Sequence, residues 1–338
     1  MGSTILAKVV RGDTLESVHR GHLVVMDGSG EVIHSLGEPD LVTYFRSAAK
    51  PFQALPMIVS GAANRFGFTD NEIAMACASH SGEPFHVEIV TRMLGKIGCT
   101  EADLKCGTHL PFNEAEANRL LRSGEHATAL QNNCSGKHTA MLAFARHIGA
   151  DLKTYDAVNN PIQQEILKTV AAFADLPVGE VRIGVDGCAV PNFALPLAAM
   201  ARCFANLINP PAAFGEDVKT ACRRIVAAMR DHPRLIGGTD RLDTMIMDAV
   251  PGELISKVGA EGVWLSAVLP WGKFPSGLAI ALKIEDGDDR RGRPVAAVEA
   301  LRQLRVLPKD ALGELSPMKI KNRRGDLVGR VEASFELN

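Results

Sequence analysis

Strand-like pattern at both ends of the chain, with helix-like pattern between them, constrains the fold more than any other feature of the sequence. Ser17 to Met26 alternates, imperfectly, between polar and apolar residues, Asp27-Gly-Ser-Gly30 supplies a turn, and Val32 to Leu36 reads as the return strand. Leu41 to Phe45 reads as a third. From Ser47 to about Asp231 the pattern becomes helical. Thr69-Asp-Asn-Glu72 is a capping box that predicts a helix ending near Ser79, and Val87, Val90, Met93 and Leu94 mark another. Ile162, Ile166, Leu167 and Val170, with Pro161 in the first turn, mark one more, and Val181 to Val185 is a short strand running into Asp186-Gly187. Strands return at Leu254 to Val258, Val263 to Leu269 and Leu278 to Ile284, followed by a helix at Pro294 to Leu307 and a final strand at Leu327 to Leu337. This segregation gives an α/β fold of the α+β kind. It is read as one unit over 1–338, with an antiparallel sheet drawn from 1–46 and 240–338, flanking helices, and a mainly helical 47–239.

Composition allows such a core. Hydrophobic residues make up 46% of the 338 and charged ones 22%, and 37 basic against 39 acidic residues leave a net charge of -2. No basic footprint for nucleic acid or an anionic membrane surface is present. No apolar run approaches the roughly 20 residues that span a bilayer. Met1 to Gly12 lacks the long apolar region and cleavage site of a signal peptide, and Leu6 stands where a myristoylation signal has Ser or Thr. Seven cysteines, odd in number and scattered, read as reduced thiols, and a cytoplasmic location is expected.

Four clusters carry candidate chemistry. In Ser47-Ala-Ala-Lys50, followed by Pro51, a helix start would put the amine on the face of the hydroxyl, where a lysine of lowered pKa can remove its proton. The same spacing recurs at Ser316-Pro-Met-Lys319, where Pro317 and a strand pattern favour a plain structural role. Ser79-His-Ser-Gly-Glu-Pro84 is a polar loop directly after an apolar helix. Asn132-Asn-Cys-Ser-Gly-Lys-His138 opens a helix but is not a phosphate loop, since Gln131 takes the place of the first glycine and His138 that of the magnesium-binding hydroxyl. Cys134 and Cys188, with His138 one turn after Cys134, are a donor set for a soft metal such as zinc, and equally two buried thiols. Of the remaining thiols, Cys106 with nearby His109 is the one without a plain core reading. Finally, Ser256-Lys-Val-Gly259 in a strand resembles the Lys-Thr-Gly strand of penicillin-binding proteins and serine β-lactamases. The order of strand hairpin, Ser-x-x-Lys, helical middle and Lys-x-Gly strand matches theirs, without a Ser-Asp-Asn motif; Ser79 is the nearest substitute.

Taken together, Arg46-Ser-Ala-Ala-Lys-Pro51, Ala78-Ser-His-Ser-Gly-Glu-Pro84, Asn132-Asn-Cys-Ser-Gly-Lys-His138, Asp186-Gly-Cys188, Gly238-Thr-Asp-Arg-Leu-Asp-Thr244 and Lys257-Val-Gly-Ala-Glu-Gly262 resemble, in order, the motifs of the Rhizobium etli type L-asparaginases, the asparaginase II family. The resemblance covers nearly the whole chain. It implies a serine β-lactamase-like fold, a homodimer, and hydrolysis of the side-chain amide of L-asparagine. It also implies catalytic pairs Ser47 with Lys50 and Ser79 with Lys257, a zinc site of Cys134, Lys137 and Cys188, and substrate-binding or supporting roles for Arg46, His138 and Asp186. Ala189 departs from the pattern, which expects glycine after Asp-Gly-Cys. Other readings of the same residues are a glutaminase, a β-lactam or D-peptide hydrolase, a zinc hydrolase with a passive Ser47, and an inactive zinc-binding protein.

Overall fold

The computed structural model describes residues 2–337; Met1, where the reading of the chain start begins, lies outside them. In chain order the strands and helices are β1 (Thr4–Arg11), β2 (Thr14–Asp27), β3 (Val32–Leu36), β4 (Val42–Tyr44), α1 (Lys50–Val59), α2 (Ala62–Arg65), α3 (Asp70–Ala76) and α4 (Pro84–Lys96). There follow α5 (Glu114–Ser123), α6 (Ser135–Ile148), α7 (Pro161–Ala174), β5 (Arg182–Val185), β6 (Pro191–Pro196), α8 (Leu197–Ile208), α9 (Glu216–Asp231), α10 (Pro233–Ile236) and α11 (Leu242–Ala249). The chain closes with β7 (Leu254–Val258), β8 (Val263–Val268), β9 (Leu278–Ile284), α12 (Gly292–Gln303), β10 (Met318–Lys321) and β11 (Leu327–Ala333). Among the described residues two compact units result: 2–48, Leu195–Asn209 and 245–337 form the first, Ala49–Ala194 and Pro210–Thr244 the second. Among the described residues no helix is long and apolar enough to cross a membrane.

The first unit is built on a sheet in the order β10-β11-β1-β2-β9-β8-β7, with β3 also paired to β2, and every pairing is antiparallel. Strands from the two chain ends therefore interleave: β2 lies beside β9, with Val24 opposite Ala281. Every residue of β7 and β8 is buried, so both faces of these strands are covered and even Ser256, Lys257 and Ser266 lie inside. The buried Trp264 on β8 donates its indole N–H to Ser256 Oγ on β7 at 2.8 Å, which satisfies the polar edge of a large apolar group and fixes the register of the strand that carries Lys257. Helix α12 packs on the outer strands through Val295, which joins Ala7, Val9 and Val331 in one cluster.

The second unit is helical. Pro51 stands in the first turn of α1, where its missing N–H costs nothing, and the helix is buried along nearly its whole length. Phe52 meets Phe173 of α7 with ring centroids 5.4 Å apart. The capping box before α3 forms: Thr69 and Glu72 satisfy each other's backbone donors, and Glu72, fully buried, also accepts from Lys96 Nζ at 2.6 Å. The helix stops at Ala76, short of Ser79, which leaves Cys77 to Glu83 as an irregular link to α4. At the start of α6, Gly136 lies so close to α3 that a Cβ there would sit 2.3 Å from Met75 O. Only glycine admits this approach, and it brings the Cys134–His138 segment against the end of α3.

Candidate active site

Lys50 is the first residue of α1 and only 1% exposed. Its ammonium donates to Ala78 O at 2.6 Å, Ser79 Oγ at 2.8 Å and Asn133 O at 3.2 Å, which accounts for all three protons. The lysine that meets Ser79 within this unit is thus Lys50, an encounter 29 residues away that no helical spacing announces. Burial lowers the Lys50 pKa and Lys137 adds to the effect, while Cys134 and Cys188 oppose it.

Those same groups form the second half of the cluster. Cys134 precedes the first turn of α6, where unpaired backbone N–H groups favour a thiolate. A hydrogen bond from Cys188 and the charges of Lys50 and Lys137 hold its pKa well below the usual thiol value, whereas that bond and burial push Cys188 up. Lys137 donates to Cys188 Sγ at 3.0 Å. Burial works against its charge, yet the two sulfur groups keep its pKa above the ordinary lysine value. Cys134 and Cys188 are thus pushed in opposite directions by one shared bond, beside two buried lysines. Among the described residues no three His, Cys, Asp or Glu side chains gather as a metal-holding group. The group beside the two sulfurs is the Lys137 amine.

His138 faces elsewhere. Lys105 N–H donates to Tyr155 Oη at 2.8 Å, and Tyr155 lies 2.6 Å from His138 Nδ1, so the phenol proton is assigned to Nδ1 and the imidazole proton to Nε2. Burial, with Lys137 and Lys50, holds the His138 pKa far below its usual value and keeps the ring neutral. Its buried Nε2 has no hydrogen-bond partner. A buried donor left open, near enough to Lys137 and Lys50 to feel their charge, fits an acceptor that arrives with a ligand. Asp186, which raises the Lys137 pKa, sits in the tight β5–β6 turn: its N–H donates to Val190 O and its carbonyl accepts from Ala189 N–H, both at 2.9 Å.

Arg46, Ser47 and Lys257 belong to the first unit. Ser47 lies half-buried in a 3-10 turn, Arg46–Ala49, entered through Arg46 at φ +53, left-handed backbone that a non-glycine residue rarely adopts. Lys257 is fully buried and donates to Val258 O at 3.0 Å. A strand lysine reaching for water is not what β7 contains. By contrast Lys319 of the second Ser-x-x-Lys match is exposed on β10. All seven cysteines are free and buried, and burial pushes Cys106 up to about 12.

Three participants were not singled out by sequence. Asn133 supplies a carbonyl to Lys50 from within a quoted motif; Asn132 accepts from Cys134 N–H at 2.8 Å and donates to Cys106 O at 2.9 Å; Tyr155 orients His138. Asn132, whose side chain turns back onto the Cys134 N–H two residues on, carries the one legible signal among them, an Asx turn ahead of the helix.

A family model described as L-asparaginase II matches residues 7–333. A comparison with curated proteins found no significant match. Among solved structures the chain is similar to Mglu in its native form in 4.3 M NaCl, at 15% identity and a TM-score of 0.46, covering 84% of this chain and 60% of that one. It is also similar to a Bacillus subtilis glutaminase in covalent complex with 5-oxo-L-norleucine, at 11% identity and a TM-score of 0.40, over 86% and 89% of the two chains. A β-lactamase from Burkholderia ambifaria stands at 14% identity and a TM-score of 0.40, over 85% and 94%.

Proposed function

The chain belongs to the L-asparaginase II family and is an amidohydrolase, and we propose that it hydrolyses the side-chain amide of L-asparagine to L-aspartate and ammonia through a serine nucleophile served by buried lysines. The contact between Lys50 and Ser79 carries this reading: a desolvated lysine of lowered pKa held 2.8 Å from a hydroxyl is equipped to take and return a proton.

Ser47 is the proposed nucleophile. It is half-buried, hence open to a substrate, whereas Ser79 is 3% exposed and already engaged by Lys50. The left-handed Arg46 just before it holds strain of roughly 1–3 kcal/mol, a cost typical of positions fixed for chemistry. In the proposed sequence Lys50 acts from its neutral form, which its lowered pKa brings within reach: Ser47 Oγ attacks the amide carbon and the hydroxyl proton passes to the Lys50 amine, directly or through Ser79. The proton held by Lys50 then returns through Ser79 to the departing ammonia, with Lys257 supplying positive charge beside the oxyanion. Water then attacks the acyl ester, releasing aspartate and restoring Ser47. Arg46 and Asp186 offer opposite charges to the α-carboxylate and α-ammonium of the amino acid, and His138 Nε2 offers a neutral donor.

Zinc is part of the proposal. Cys134 and Cys188 as thiolates and Lys137 as a neutral amine would hold it, and once bound it supplies a Lewis acid that anchors a polar group of the substrate. The donor set fits, because two sulfurs and a lysine nitrogen already converge, and the protons still on Cys188 and Lys137 would be released to solvent as the metal binds. Zinc stoichiometry of wild type and Cys134→Ala, with kcat and KM measured separately, tests it. About one zinc in the wild type and none in the variant, with KM raised, is expected; equal zinc in both contradicts the site. The homodimer implied by the resemblance belongs to the same proposal and is checked by sedimentation velocity.

Ammonia release from L-asparagine and L-glutamine, with nitrocefin colour as a third channel, tests the substrate. Asparagine turnover well above glutamine is expected. Glutamine turnover in excess, or nitrocefin hydrolysis alone, replaces the substrate reading.

A further inference from the structure

The Gly238-Thr-Asp-Arg-Leu-Asp-Thr244 motif has no part in the chemistry above, yet it lies against Ser81 and Glu83, in the link that carries Ser79. Ser79 sits in the link between α3 and α4, Cys77 to Glu83, a stretch with no regular hydrogen bonding of its own. Three alternate residues of that link are tied to the segment 236–239. Ser79 N–H donates to Ile236 O at 2.9 Å, Ser81 Oγ donates to Gly237 O at 2.8 Å, and the Glu83 carboxylate accepts from Thr239 N–H at 2.8 Å and from Thr239 Oγ1 at 2.7 Å. The residues between them face the other way: His80 Nε2 lies 2.9 Å from Ser135 Oγ, and a Cβ on Gly82 would lie 2.8 Å from Gln131 O. Gly238, at φ +112, passes so close that a Cβ would stand 2.5 Å from Ser81 Oγ and 2.6 Å from Glu83 Oε1.

We infer that Thr239, through Glu83, is a positioning residue for Ser79. The clasp is a two-point carboxylate grip in a site where Glu83 is 8% exposed, so its bonds are shielded from competing water. Moving the 79–83 backbone away from 236–239 breaks these bonds and drives Gly82 onto Gln131, and moving it toward 236–239 drives Ser81 and Glu83 onto Gly238. Ser79 Oγ is thereby held at the Lys50 ammonium. The inference rests on the reading that this contact relays protons in amide hydrolysis.

Thr239→Val removes the hydroxyl bond and keeps the shape, and Thr239→Ser keeps the bond. Because small displacements of a catalytic group cost up to about a hundredfold, Thr239→Val is expected to lower kcat for asparagine about tenfold with KM within about twofold, and Thr239→Ser to restore it. Amide hydrogen exchange in 77–83 is expected to quicken in Thr239→Val and not in Thr239→Ser. Ser81→Ala, which cuts the tie to Gly237 O, gives the same pattern and serves if Thr239→Val does not fold. Wild-type kcat in a folded variant, or exchange in 77–83 equal to wild type, overturns the inference. Should the wild-type protein hydrolyse no amide, the amide reading fails and the exchange measurement alone decides the clasp: faster exchange reversed by Thr239→Ser upholds it, unchanged exchange overturns it.

Discussion

Ala189 offers a test of the turn that presents Cys188. It adopts φ +71 in the β5–β6 turn, is exposed, and has no packed methyl to lose. Left-handed backbone costs an L-residue roughly 1–2 kcal/mol, which glycine does not incur. Glycine also loosens the unfolded chain, taking back roughly 0.4–1 kcal/mol. Ala189→Gly is therefore expected to stabilise the protein by about 0.5–1 kcal/mol, a rise in Tm of about 1–3 °C for a domain of this size. The control is Ala194→Gly on β6, an extended, buried position where glycine should cost roughly 0.5–1 kcal/mol. Urea unfolding read by circular dichroism, with the slope m unchanged, measures both. Opposite signs are expected. A destabilised Ala189→Gly would refute the claim that strain is stored in this turn.

Two further substitutions probe the frame of the site. Gly136→Ala places a Cβ 2.3 Å from Met75 O and forces α3 and α6 apart, so a loss of about 1–3 kcal/mol is expected in urea unfolding. Glu72→Gln removes charge-assisted bonds from Lys96 and Arg92, with an expected loss of about 1.5–3 kcal/mol at pH 6. Burial alone would raise the Glu72 pKa, but Lys96, Thr69 N–H and Arg92 hold it below the usual value. Its contribution is thus complete above the unfolded value of about 4.3 and lost as the pH falls through the folded one. The difference between wild type and Glu72→Gln should shrink between pH 6 and pH 3; a constant difference would contradict the assignment.

What the sequence showed was local or carried by apolar pattern. Strands β3, β7 and β9 fall at their expected limits, because each is a short run bounded by turn residues, and the Thr69–Glu72 box starts α3 as its spacing requires. Strand β6 was not recognised: it begins and ends with proline, which argues against a strand until its partner β5 is seen. In the site, the residues alone offered His138 as a companion to Cys134 and Cys188, since four positions along a helix share a face. The side chain that reaches Cys188 is Lys137, and His138 turns to Tyr155 instead, a partner no motif flags. Lys50 and Ser79 likewise meet through the packing of α1 against the link after α3. Contacts of this kind depend on tertiary approach, which periodicity cannot encode.

The central claim is that Ser47 attacks the amide. Ammonia release from L-asparagine by Ser47→Ala, with folding and zinc content matched to wild type, measures it most directly. A fall in kcat of about a thousandfold or more is the result expected of a lost nucleophile. Turnover within about tenfold of wild type would contradict it and move the nucleophile to Ser79, already paired with Lys50.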